Sequence, residues 1–225
     1  MENRFEMFLE ILGKFHDCGL LDELVLIGSW CMPFYKKLLS GSGYSPTIRT
    51  RDVDFAIPQP AKIKSRADVG AILKDEGFVT DFRQEDGFVR YLHPELIVEF
   101  LVPEKGRGTD RPVEIPSIGV NAQALRYLNF LLENTVIAEY EGVRMRVPHP
   151  AAYGLHKIII SSRRKEDEKA DKDRREALEI LNAVMLCGES FVIKKLFSEM
   201  PAPWQKKIQK TLEPLDAGDL VSFLS

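Results

Sequence analysis

The stretch "TIRTRDVDFAI", residues 47–57, decides how this sequence is read, together with "LIGSWCMPFY", residues 26–35, a short way upstream. Asp52 and Asp54 stand one residue apart at the head of a run that continues as Phe55-Ala56-Ile57. Side chains of a strand alternate between its two faces, so both carboxylates project from the same one. That face is not ordinary core, because an unpaired carboxylate buried there costs several kcal/mol. The pair is solvated at a strand end, balanced by bases such as Arg49 and Arg51 just before it, or bound to a cation.

A third acid bears on the choice. Glu99 interrupts "LIVEFLV", the most apolar strand-like run of the chain. Two strands of one sheet that each supply acids are best explained by a shared divalent cation. Mg2+ takes hard oxygen ligands and is held by a few carboxylates beside a phosphate. The other sequence feature is Gly28-Ser29, which ends the apolar run "ELVLIG". A glycine there lets the backbone approach a ligand. A serine opening a helix sets free N–H groups and the helix dipole toward an anion, although Gly-Ser before a helix also serves as a plain cap.

Around these motifs the pattern is mixed α/β and then all helix. Phe5, Phe8, Leu9, Leu12 and Phe15 recur at helical spacing, which predicts an opening amphipathic helix ending near Gly19. A strand over 23–28 precedes a helix over 29–39, with Pro33 in the first turn of that helix. "DVDFAI" is a strand stopped by Pro58 and Pro60, and residues 65–76 form a helix with Ala67, Val69, Ile72 and Leu73 as its apolar stripe. "GFVTDF", "GFVRYLH" and "LIVEFLV" are three strands of an antiparallel meander, the first two separated by a turn at Gln84-Glu85-Asp86-Gly87. "TVIAEYEGVRMRVPHP" is a hairpin with Glu141-Gly142 at its tip. Beyond Pro150 the chain reads as helix, broken near Gly188, at Pro201 and Pro203, and at Pro214, and the mixed-sign run "RRKEDEKADKDRRE" is the solvated part of a long helix. The expected organisation is an α/β domain over 1–148 with a mixed sheet flanked by helices, followed by an all-α domain over 149–225.

Composition narrows the class. A net charge of −3 in 225 residues gives no global basic field for a polynucleotide. Cys18, Cys31 and Cys187 lie far apart without CxxC spacing, as expected of reduced thiols in a cytoplasmic protein. No signal-peptide pattern opens the chain, and no apolar run approaches the roughly 20 residues of a membrane span. His149 and His156 have no partners at ligand spacing.

The order strand-Gly-Ser-helix, then Asp-x-Asp on a strand, then a lone acid on a later strand resembles the nucleotidyltransferase superfamily related to DNA polymerase β, in its minimal form. The matching residues are Leu26-Ile27-Gly28-Ser29, Asp52-Val53-Asp54-Phe55 and Val98-Glu99-Phe100. The resemblance implies two Mg2+ ions (or Mn2+) held by Asp52, Asp54 and Glu99, with a nucleoside triphosphate (NTP) as substrate. It further implies transfer of a nucleoside monophosphate to a hydroxyl of RNA (such as a tRNA end), of a protein or of a small molecule such as an aminoglycoside. A narrower resemblance, to AbiE-type toxin-like transferases, rests on Arg49-Thr50-Arg51-Asp52 and on Lys157, Arg163 and Lys172-Asp173 in the helical half. The broader pattern implies that Gly28 and Ser29 hold the triphosphate; the narrower one implies that Arg49, Thr50, Lys157, Arg163, Lys172 and Asp173 serve nucleotide binding, in a cleft between the halves, and it leaves an antitoxin partner as an open alternative. The alternative is a catalytically silent member that binds a nucleotide or a partner protein.

Overall fold

In the computed structural model the described residues are 2–48, 50–59, 63–83, 87–104, 112–164, 166–213, 220 and 223. Arg49, Pro60, Pro214 and the turn residues Gln84, Glu85 and Asp86 lie outside them. The chain forms two compact units, Met1–Phe34 with Thr47–Pro148, and Tyr35–Pro46 with His149–Ser225. Residues 35–46, expected in the first half, therefore group with the later helices.

The first unit begins with α1 (Glu2–Asp17) and β1 (Val25–Ile27). It continues with β2 (Asp52–Ala56), α3 (Val69–Asp75), β3 (Val79–Phe82), β4 (Val89–Leu92) and β5 (Ile97–Pro103). Next come β6 (Val113–Ile115), β7 (Val120–Leu125), α4 (Leu128–Glu133), β8 (Thr135–Tyr140) and β9 (Val143–Pro148). The main sheet runs β1-β2-β5-β4-β3. The meander β3-β4-β5 is antiparallel as expected, and β2 joins it by a parallel pairing with β5, which makes the sheet mixed. β4 occupies the far edge of β5 at Ile97–Glu99, and β7 takes over that edge from Leu101 to Pro103 in parallel register.

Register separates the sheet into two chemically different faces. On one face Phe55 and Phe100 are direct neighbours with ring centroids 5.7 Å apart, and Phe15 of α1 lies 5.4 Å from Phe55. Tyr91 meets Phe100 edge-on at 6.2 Å, completing an aromatic core. Phe8 and Phe5 of α1 close over Trp30 at 4.4 and 5.2 Å. The opposite face carries the acids. The hairpin β8-β9 turns through Glu141 and Gly142, both at positive φ, as a two-residue turn requires.

Two expectations about the first unit need correction. The helix expected over 29–39 is a 3-10 turn, Gly28–Cys31, followed by the seven-residue α2 (Met32–Leu38). Pro33 has no N–H to close an α-helical bond onto Ser29, and the Ser29 carbonyl instead accepts from the Met32 N–H. β6, β7 and α4 lie outside the expected elements: "VEI" alternates over three residues only, and the inward positions of "VNAQAL" after Val120 are small alanines with no strand-forming bulk.

In the second unit the helices are α5 (Pro150–Ser161), α6 (Asp167–Leu186), α7 (Ser190–Glu199) and α8 (Ala202–Leu212). His149 caps α5 by accepting the Ala151 N–H at Nδ1, 3.1 Å away, with Pro150 in the first turn. From Asp167 the charged run lies on α6, a helix of 20 residues, as expected, but it is not solvated throughout, since Ala170 and Asp173 within it are buried. α5 and α6 approach closely at Gly154, where a Cβ would stand 2.6 Å from Leu181 Cγ. Among the described residues no helix is long and apolar enough to cross a membrane.

Candidate active site

Asp54 and Glu99 are register partners on the parallel strands β2 and β5, so their side chains share one face of the sheet. Asp52 lies two residues before Asp54 on that face. The row extends in both directions: Ile27 stands opposite Asp54 on β1, Arg90 opposite Glu99 on β4, and Asp81 opposite Arg90 on β3. The chain thus builds a polar line, Asp54-Glu99-Arg90-Asp81, through a sheet whose other face is aromatic core.

Each acid has a distinct environment. Asp52 is exposed, and its Oδ2 accepts from Thr50 Oγ1 at 3.0 Å while its own N–H donates to the same oxygen at 3.1 Å. Thr50 thereby fixes where the Asp52 carboxylate points. Arg51 turns away from the acids and donates to the His93 carbonyl at 2.6 Å. Asp54 is half-buried under Gly28: a Cβ added at Gly28 would lie 2.5 Å from Asp54 Oδ2. Gly28 has a φ of +70°, so this position favours glycine both sterically and in conformation. Ser29, beside it, is buried within the 3-10 turn rather than capping a long helix.

Glu99 is half-buried, and its carboxyl is pushed above the ordinary range by burial and then by the charge of Asp52, with Arg90 and Arg83 opposing the shift. Arg90 is held by Asp81, donating from Nε at 3.2 Å and from Nη2 at 2.6 Å to one oxygen. The motif reading overlooked this arginine, although "GFVRYLH" places it on the opposite face from the buried Tyr91.

The donor set suits a divalent cation in kind, being three hard carboxylates on neighbouring strands with one raised in pKa by another. Among the described residues no three His, Cys, Asp or Glu side chains converge as a finished metal cage. Mg2+ does not require one, since it is commonly held by one or two carboxylates, waters and substrate phosphates.

The helical-half residues lie in the second unit. Lys157 is 7% exposed and its Nζ donates to Asp173 Oδ1 at 2.6 Å, with Glu176 at 2.9 Å. Burial lowers the Lys157 pKa, and Glu176 and Asp173 more than offset this to leave it raised. Asp173 is 3% exposed and also accepts from Arg164 Nε at 2.9 Å. Burial raises its pKa, and Lys157 and Arg164 overcome that to hold it below the ordinary range. Lys172 stands 3.6 Å from Glu176 at the surface, and Arg163 is exposed just beyond the end of α5. The Lys157 ammonium is thus turned onto two carboxylates of its own unit, and Arg164, not singled out in the sequence, joins the cluster.

The chain belongs to the nucleotidyltransferase family, whose sequence model matches residues 6–191. No curated protein sequence matches it. Among solved structures it is similar to an antigenic nucleotidyltransferase-like protein from Paracoccidioides brasiliensis, at 18% identity and a TM-score of 0.48, over 95% of this chain and 88% of that one. It is also similar to the antibiotic-resistance factor ANT(2'')-Ia in solution, at 13% identity and a TM-score of 0.47, over 88% and 94% of the two chains. The crystal structure of ANT(2'')-Ia in complex with adenylyl-2''-tobramycin aligns at 14% identity and a TM-score of 0.47, over 85% and 98%.

Proposed function

We propose that this family member transfers a nucleoside monophosphate from an NTP to a hydroxyl acceptor, with Asp52, Asp54 and Glu99 as its catalytic carboxylates. The observation that carries the reading is the register pair Asp54–Glu99 with Asp52 two residues away on the same face. A bound divalent cation, Mg2+ or Mn2+, would supply charge neutralisation at the triphosphate and a more acidic acceptor hydroxyl. The chain's own part is positional. Thr50 fixes the Asp52 carboxylate, Gly28 keeps the space over Asp54 open, and the Arg90–Asp81 pair flanks Glu99.

Gly28, Ser29 and Thr50 border this row and are the proposal's contacts to the triphosphate, with Arg49 assigned to it from the motif. The narrower resemblance assigns Lys157, Arg163 and the Lys172-Asp173 pair to the nucleotide, but Lys157 and Asp173 are engaged with each other and with Glu176 and Arg164, so the proposal gives them a structural role in the helical unit. The free thiols of Cys18, Cys31 and Cys187 fit the cytoplasm, where NTPs are abundant.

Incubation with α-labelled NTPs, Mg2+ and a cell extract tests the reading. Label is expected to move to an acceptor and to stop moving in Asp54→Asn and Glu99→Gln. Nucleotide binding without transfer for any base would instead mark a silent member. The size of the labelled product distinguishes RNA, protein and small-molecule acceptors. The toxin-like reading predicts that expression of the chain arrests growth and that the arrest is lost in Asp54→Asn; normal growth with intact transfer removes it.

A further inference from the structure

Glu99 has an arginine beside it and does not pair with it. Arg90 on β4 is its register partner, and directly opposed side chains of an antiparallel pair stand close enough for an arginine to reach a carboxylate. Yet among the described residues the Glu99 carboxylate accepts no hydrogen bond and joins no ion pair. It is half-buried, where an ionised group without a partner is costly, so an idle cation next to it needs an explanation.

The explanation lies one strand further out. Asp81, on the edge strand β3, is Arg90's register partner on the other side. One of its oxygens accepts from Arg90 Nε at 3.2 Å and from Nη2 at 2.6 Å. Arg90 therefore stands between two acids and spends these contacts on the outer one. Arg83, the other cation whose charge acts on Glu99, lies over the Phe88 ring, 5.4 Å from its centroid. If cross-strand pairing of Arg90 were all that mattered, Glu99 could supply it from β5 and no second acid would be needed on β3.

We infer that Asp81 is a positioning residue: it draws Arg90 outward and so leaves the Glu99 carboxylate open to a cation. Without that hold, Arg90 turns to Glu99 and occupies the oxygens that a cation needs. The inference rests on the assignment of Glu99 as a cation-binding carboxylate, and Asp81 acts on the site only through Arg90.

The test has one arm without a cation and one with Mn2+, both on the full chain in about 0.3 M salt, where charges not in contact are screened. In the first arm, Glu99→Gln raises the urea midpoint of the parent, but in an Asp81→Asn background, where Glu99 has gained Arg90, it should lower the midpoint. In the second, Asp81→Asn should weaken Mn2+ binding about tenfold, the scale of one charge-assisted hydrogen bond set against it. Asp81→Asn/Arg90→Gln should bind Mn2+ at least as tightly as the parent, since the competing cation is gone. Asp81→Thr also removes the acceptor charge and suits a strand better, so it should reproduce Asp81→Asn in both arms. A midpoint raised by Glu99→Gln in both backgrounds, parent-like Mn2+ binding by Asp81→Asn, or no recovery in the double variant overturns the inference. A parent that binds no Mn2+ overturns the assignment of Glu99 to a cation, while the first arm still decides whether Asp81 holds Arg90 away.

Discussion

Replacing Lys157 by methionine separates a structural ammonium from a phosphate-facing one. Lys157 is the sole cation within 3 Å of both Asp173 and Glu176 among the described residues, at 2.6 and 2.9 Å. Methionine keeps the apolar stem and removes the charge. Asp173, 3% exposed, would then depend on Arg164 alone, whose side chain is 45% exposed. Breaking a buried ion pair from one side costs about 3–5 kcal/mol, and because Arg164 remains, the lower end, about 3 kcal/mol, is expected. Asp173→Asn added to Lys157→Met should recover about 1–2 kcal/mol of that loss by removing the orphaned charge. Lys172→Met, at an exposed pair 3.6 Å apart, should change stability by less than about 1 kcal/mol. Urea unfolding followed by circular dichroism reads all three. The depressed Asp173 contributes stability that is complete above the unfolded carboxyl value, about pH 3.9, and is lost as pH falls through its lower folded value. The raised Lys157 contributes stability that is complete below about pH 10.4 and is lost as pH rises through its higher folded value. If Lys157→Met unfolds within about 1 kcal/mol of the parent while KM for the NTP rises, the ammonium serves phosphate and the reasoning fails.

Three further outcomes follow from single positions. Gly28→Ala should lose about 1–2 kcal/mol through its left-handed backbone and, by displacing Asp54 Oδ2, lower transfer by about 10²-fold; unchanged transfer would dissociate Gly28 from the acid row. Glu99→Gln removes a carboxylate whose ionisation burial and Asp52 oppose, so it should raise the urea midpoint slightly while cutting transfer by about 10²-fold or more; a fall in the midpoint would show that Arg90 and Arg83 dominate Glu99's environment. Gly154→Ala should destabilise by about 1–3 kcal/mol despite better helix propensity, because its methyl meets Leu181 Cγ at 2.6 Å, whereas Gly13→Ala in open space should stabilise by about 0.5–1 kcal/mol. The two glycines melting alike would contradict this contrast.

The features legible in the sequence were those with a period or a cost. Asp-x-Asp and a lone Glu in apolar runs announced acids on strands, since the alternation of a strand fixes which residues share a face. That the two strands are parallel neighbours, with Asp54 opposite Glu99, depends on a pairing between residues 45 positions apart, and no local pattern encodes it. Arg90 was hidden for the same reason: its place in the row depends on register with Glu99, and its holder Asp81 lies on a third strand. The helix after Gly28 was overdrawn because its apolar periodicity continues through Pro33, while the missing proline N–H divides it. β6 and β7 escaped because the first is three residues long and the second alternates through alanines, which have little strand preference. In the helical unit, charge alternation hid a buried cluster inside a run that otherwise reads as solvated, and only the packing of α5 on α6 reveals which lysine is inside.

The central claim is that Asp52, Asp54 and Glu99 together form a cation and nucleotide site. Electron paramagnetic resonance of Mn2+ titrated into the chain with a non-hydrolysable NTP tests it most directly. Saturable Mn2+ binding in the parent, lost in Asp54→Asn and weakened in Glu99→Gln while both variants remain folded, is the predicted result. Mn2+ binding of equal affinity in the parent and Asp54→Asn would contradict the account.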